Sequence, residues 1–160
     1  MQRKTIVLLL ALVFPVIVFI FLKMFGRNHF DIPIYHEKVS PSAGCNYQYP
    51  IPYTIADSLF TSFGWKTQQA ILVSFSSMAD ESRMRLNEKF KPNVLQIVNV
   101  EDDQYKDSKL NLKQCIFLVP DEFSTVLVDD KKRIRGYFRL NNREETDRLI
   151  VELSILLQEY

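Results

Sequence analysis

The chain predicts an α/β domain behind a single N-terminal transmembrane helix, and three observations carry that prediction. Residues 6–22 (IVLLLALVFPVIVFIFL) form a run of 17 without a charged or polar side chain. Residues 70–100 read as strand, amphipathic helix and strand, and residues 123–157 read as a hairpin followed by a second amphipathic helix.

The apolar run is bracketed by Arg3, Lys4 and Lys23. At a rise of about 1.5 Å per residue it lies at the short end of what crosses a hydrocarbon core. Pro15 falls mid-span, where a freed carbonyl is tolerated by a kink, and Phe14, Phe19 and Phe21 add bulk toward lipid. Residues 23–27 (KMFGR) offer no small-residue cleavage site, and no Cys follows closely, so an uncleaved anchor is expected over a signal peptide or a lipoprotein. Two basic residues beside the first span place the N-terminus in the cytoplasm and the domain outside it, although Lys23 and Arg27 nearly balance them.

Charge sets a second bound. The chain carries 20 basic and 19 acidic residues, and leaving out Arg3, Lys4 and Lys23 leaves 17 against 19. A domain at −2 lacks the basic excess that phosphate binding needs, so nucleic acid is not an expected partner. Two Cys and two His exclude a zinc-rich or disulfide-dense scaffold.

Domain boundaries follow: an anchor over 1–24, an extended lead-in over 25–68 and a folded core over 69–160. The lead-in holds Pro33, Pro41, Pro50 and Pro52 with Gly26, Gly44 and Gly64, which favours extended chain with short strands at 32–35 and 53–55 over helix. Residues 70–75 (AILVSF) suit a strand covered on both faces. Residues 80–91 carry Met84, Leu86 and Phe90 among charges, as a short helix that Pro92 stops. Residues 94–100 (VLQIVNV) read as a second buried strand, which makes the pair a parallel crossover. Residues 101–113 are polar without a period and are assigned to a surface loop.

Residues 123–129 and 133–138 flank Asp130, Lys131 and Lys132 as a hairpin. Asn142 caps the last helix with Glu145 at the third position, and Leu149, Ile150, Leu153, Leu156 and Leu157 recur at helical spacing. The order β-α-β, loop, β-β, α is that of a thioredoxin-like domain.

Three strings carry a resemblance: residues 25–34 (FGRNHFDIPI), residues 87–100 (NEKFKPNVLQIVNV) and residues 126–137 (VLVDDKKRIRGY) running into Glu144 and Glu145. Together they resemble the Sco/SenC family of membrane-anchored, thioredoxin-like copper proteins of the bacterial envelope and the mitochondrial inner membrane. The resemblance implies copper held by a C-x-x-x-C pair after the first core strand and by one His before the hairpin, since thiolates and imidazole suit copper. Here the corresponding loop, residues 74–83, reads SFSSMADESR and holds no Cys. The family's His falls near Asp121, and no His follows His36. The copper and dithiol site is therefore degenerate.

Cys45 and Cys115 lie 70 residues apart, outside any paired redox motif. In an oxidising compartment they are a structural disulfide or two unrelated thiols, with Cys115 set among apolar neighbours. His29 and His36 read as surface or packed residues, and Met78 and Met84 as core, because i, i+6 does not put them on one helical face. Lys131, Lys132, Arg133, Arg135, Arg139 and Arg143 read as a solvated face, with an anionic lipid or acidic partner as the functional alternative.

The expected function is that of a membrane-anchored, extracytoplasmic Sco/SenC-like accessory or binding protein, in cytochrome oxidase assembly or envelope maintenance. Its domain would face the periplasm from the bacterial inner membrane. It would meet the lipid bilayer through residues 6–22 and a membrane protein partner through the domain. With no paired redox cysteines, no catalytic, cofactor or metal site is expected. The alternative is a copper chaperone or thiol-disulfide protein using Cys45, Cys115, Met78 and the histidines as noncanonical ligands.

Overall fold

The computed structural model describes residues 2–25, 32–38, 44–45, 47–62, 64, 70–101, 105 and 108–158. Met1–Phe30 and Asp31–Tyr160 are two compact units. The first is helix α1, Gln2–Phe25, which runs 24 residues with Pro15 inside it. Among the described residues no helix is long and apolar enough to cross a membrane. The expected anchor falls in part on Ile6, Leu8, Leu9 and Leu10, whose side chains lie outside the described set.

The second unit is a mixed α/β domain on a four-stranded sheet. Its strands are β1 (Ala70–Ser74), β2 (Leu95–Asn99), β3 (Thr125–Asp129) and β4 (Ile134–Phe138), in the order β2-β1-β3-β4. β1 and β2 are parallel, Ala70 to Leu95 through Ser74 to Asn99, whereas β1–β3 and β3–β4 are antiparallel. The three strands β1, β3 and β4 are buried along their whole length. β2 is buried only at Leu95, because it is an edge and not the doubly covered strand its apolar run suggests.

Helices α3 (Asp80–Lys89) and α5 (Arg143–Gln158) cover one sheet face. Leu86 and Phe90 meet Leu149, Ile150, Leu153 and Leu156 over Ala70, Leu72, Leu127 and Phe138. The buried Ser82 and Thr146 hydroxyls bond at 2.7 Å between the helices. Asn142 caps α5 as expected, its Oδ1 accepting from the Glu145 N–H at 2.9 Å, while the Glu145 carboxylate turns to the Arg139 N–H at 3.4 Å. Met78 is buried in this core, but Met84 lies on the exposed side of α3, contrary to the core placement expected of it. Gly136 is fixed by close approach: a Cβ there would lie 2.8 Å from the Phe138 ring and 3.2 Å from Glu152 Oε2.

The other face is built differently. The lead-in supplies Tyr53, Ile55 and Phe60, and a turn later in the chain supplies Leu112, Phe117 and Val119, over Ile71, Val73, Val126 and Val128. Residues 32–35 and 53–55 form no strands, and Tyr35 enters a turn. They attach to the hairpin by single bonds, Tyr35 N–H to the Ile134 carbonyl at 2.9 Å and Ile55 N–H to the Lys132 carbonyl at 3.0 Å. The lead-in also contains a helix, α2 (Asp57–Ser62), which begins once the prolines end and buries Phe60. The loop expected over 101–113 holds a helical turn, α4 (Lys109–Asn111), that passes into a π-helical turn, Leu112–Ile116. Burial of Leu112 overrides the polar composition there.

Candidate functional site

The positions where the resemblance would put copper ligands are occupied by packing. Ser74 is buried, with its hydroxyl 2.8 Å from the Ser76 carbonyl and 3.2 Å from Thr125 Oγ1. Phe75 packs edge-on against Phe117 with ring centroids 5.7 Å apart, and the Ala79 N–H bonds the Leu140 carbonyl. Asp121 is exposed and lies 4.0 Å from the Lys113 ammonium. Among the described residues no group of three or more His, Cys, Asp or Glu converges as a metal site.

The two cysteines meet. Cys45 and Cys115 form a disulfide with Cα atoms 5.8 Å apart, joining the lead-in to the π-helical turn. That turn ends with carbonyls that have no helical partner, and three tyrosines supply donors in succession. The Tyr49 hydroxyl donates to the Cys115 carbonyl at 2.9 Å, Tyr53 to Ile116 at 2.6 Å, and Tyr137 to Phe117 at 3.3 Å. Burial, with Tyr47 and Tyr49 adding to it, pushes the Tyr53 hydroxyl far above the ordinary tyrosine range. Burial, then Tyr35 and Tyr53, does the same to Tyr137. Both therefore keep the proton they donate.

His36 joins this cluster with a left-handed backbone, φ 57°. Its carbonyl accepts from the Tyr53 N–H at 3.1 Å, and its Nε2 lies 3.4 Å from the Tyr137 oxygen. Burial lowers its pKa, which favours the neutral imidazole. His29 lies outside the described residues. The cluster is thus a clamp: the Tyr49, Tyr53 and Tyr137 hydroxyls are spent on carbonyls, and the two cysteine sulfurs on one cross-link.

The chain was compared with family models, with curated proteins and with solved structures, and nothing matches.

The basic cluster near the hairpin is not one solvated face. Asp129, fully buried, takes Arg133 through Nε at 2.8 Å and Nη2 at 2.7 Å, with Arg135 Nη1 at 3.6 Å. Arg135 is itself buried, at the bulge between Leu127 and Val128 where β4 carries an extra residue. Lys132 pairs with Asp57, and the Arg139 guanidinium lies 5.5 Å from the Phe123 ring centroid. Lys131 and Arg143 remain exposed. Sequence reasoning missed the tyrosine clamp; its signal was Tyr47, Tyr49 and Tyr53 at even spacing after Cys45, the spacing that lines one side of an extended chain.

Proposed function

We propose that this chain is a membrane-anchored, extracytoplasmic accessory protein of Sco/SenC-like descent and thioredoxin-like fold, which acts by binding and has given up the copper and dithiol chemistry. Cytochrome oxidase assembly or envelope maintenance is the setting the resemblance implies. The observation that carries the reading is the Cys45–Cys115 disulfide. It places both cysteine sulfurs in one cross-link, where neither is a thiolate ligand, and such cross-links persist in oxidising compartments. The strand order, with a parallel pair joined through a helix and an antiparallel pair before the closing helix, supports the fold assignment. The anchor in this reading rests on the sequence, the uncharged run of residues 6–22 between Arg3, Lys4 and Lys23.

The test is an anaerobic titration of the full chain in detergent with Cu(I) and Cu(II), with free thiols counted before and after reduction. The expected result is no free thiol in the native chain and no stoichiometric copper binding. Tight one-to-one binding that disappears when the thiols are blocked would overturn the accessory reading and restore a chaperone.

A further inference from the structure

The two edges of the sheet are not alike. The β4 edge is covered, because the lead-in takes the outward Ile134 carbonyl. The β2 edge is bare among the described residues. The bonds Ala70 N–H to Val94 and Val100 N–H to Ser74 fix the parallel alternation. Gln96, Val98 and Val100 therefore face β1, and the N–H and C=O groups of Ile97 and Asn99 point outward. No backbone partner is found for them among the described residues. β2 (LQIVN) also carries none of the devices that blunt an edge: no charge, no proline and no bulge.

Beside that edge, between β2 and α3, lies a groove of about 480 Å³ with Arg83, Asn87 and Asn99 among its polar lining and Leu95 and Ile97 as its apolar part. Arg83 is exposed and makes no ion pair among the described residues. Leu95, Ile97 and Asn99 share the α3 side of the sheet, so every second side chain of an added strand would enter this groove.

We propose that the β2 edge takes an extended acidic peptide segment of a partner protein by strand addition, main chain to Ile97 and Asn99, with a carboxylate in the groove on Arg83. This names the docking surface of the accessory reading and rests on it for the claim that the protein acts by binding. Charge selects the occupant: a second copy paired antiparallel about Ile97 would bring two Arg83 grooves onto one side of a continuous sheet, whereas an acidic strand neutralises the one that is there.

The probe is an end-blocked eight-residue peptide alternating threonine and glutamate, with a threonine–lysine peptide as control, added to the full chain in detergent. Amide hydrogen exchange at Ile97 and Asn99 is followed by NMR. The expected result is slowed exchange at both amides with the acidic peptide, and at least tenfold weaker binding of the basic one. Arg83→Glu should weaken acidic-peptide binding at least tenfold and reverse the preference. Asn99→Pro, which removes an outward N–H and leaves the ladder to β1 intact, should also weaken it at least tenfold. Equal binding to the native chain and Arg83→Glu, or no slowing at Ile97 and Asn99, would overturn the proposal. So would protection without peptide: rising with protein concentration it would assign the edge to a second copy, and independent of concentration to the chain's own segments. A copper titration on the same sample separates the two readings, because copper binding would sink the accessory role without touching the result at the edge.

Discussion

One face of the sheet is held by shape and the other by cross-links. Under α3 and α5, Leu86, Leu149, Leu153 and Leu156 are completely buried in a continuous aliphatic layer. On the opposite face the covering chain is irregular, and what fixes it is a disulfide, three tyrosine hydroxyls on successive carbonyls and two single bonds to the hairpin. The comparison teaches that a proline-rich segment with one short helix and no ladder to the sheet can still close a core, provided that its backbone groups are satisfied one at a time.

The largest effect should come from the cross-link. Closing a loop of 70-residue separation is worth about 4 kcal/mol in the loop-entropy model. Cys45→Ser with Cys115→Ser should lower the urea midpoint accordingly, and the native state should open unevenly. Amide exchange should accelerate most in residues 47–56 and 112–119, through local opening, while the α5 core around Leu149 and Leu153 accelerates only by the loss in global stability. Equal acceleration on both faces would break the comparison, since it would make the domain one cooperative unit that the disulfide stabilises evenly.

The reciprocal experiment is Leu153→Ala. Leu153 is fully buried, and truncation should cost about 3 kcal/mol through lost burial and the cavity left behind. Here exchange should accelerate first in α3 and α5. The clamp, tied to itself, should respond only at the level of global unfolding.

This asymmetry also explains what was legible in the sequence. The strands, α3 and α5 were readable because each carries a local signal: 70–74 and 125–129 as apolar runs with β-branched residues, 134–138 as the return strand of a hairpin across Asp130, Lys131 and Lys132, 143–158 as leucines at helical spacing behind Asn142. The edge position of β2 was not readable, because an apolar run looks the same in the middle of a sheet and at its border. α2, the π-helical turn and the exposure of Met84 depend on partners distant in sequence. Phe60 and Leu112 take their conformation from the core they enter, not from their neighbours. The six-residue basic cluster misled for the same reason, since Asp129 draws in Arg133 and Arg135 and Asp57 draws in Lys132. The disulfide lay within reach as one of two readings of Cys45 and Cys115, but sequence spacing alone does not say whether two distant thiols meet.

A smaller effect separates the hydroxyl bonds from the rings that carry them. Tyr53→Phe keeps the buried ring and leaves the Ile116 carbonyl without its 2.6 Å donor. About 1 kcal/mol of stability should be lost, the cost of one hydrogen bond to a part-buried carbonyl. If the variant unfolds at the native urea midpoint, water replaces the hydroxyl and the tyrosines act on this face by packing alone.

The smallest effect is a slope with pH. Burial depresses the folded-state pKa of His36 below its ordinary value, so between the two values the unfolded chain binds more protons than the folded one. The contribution is fully present above about pH 6.5 and is lost as pH falls toward the depressed value. Among the described residues the groups facing the ring are Tyr35, Tyr53 and Tyr137, and burial keeps the Tyr53 and Tyr137 hydroxyls protonated throughout that window. His36→Asn keeps a residue that tolerates the left-handed backbone and removes the titration. Urea midpoints measured from pH 8 to pH 5 should therefore fall more steeply for the native chain than for the variant. Because the imidazole touches the clamp through Tyr137 and Tyr53, the extra loss should show as faster exchange in the clamp before it shows under α5. Identical slopes for the two proteins would mean that the ring is neutralised or hydrated at no cost, and that the clamp is insensitive to acid.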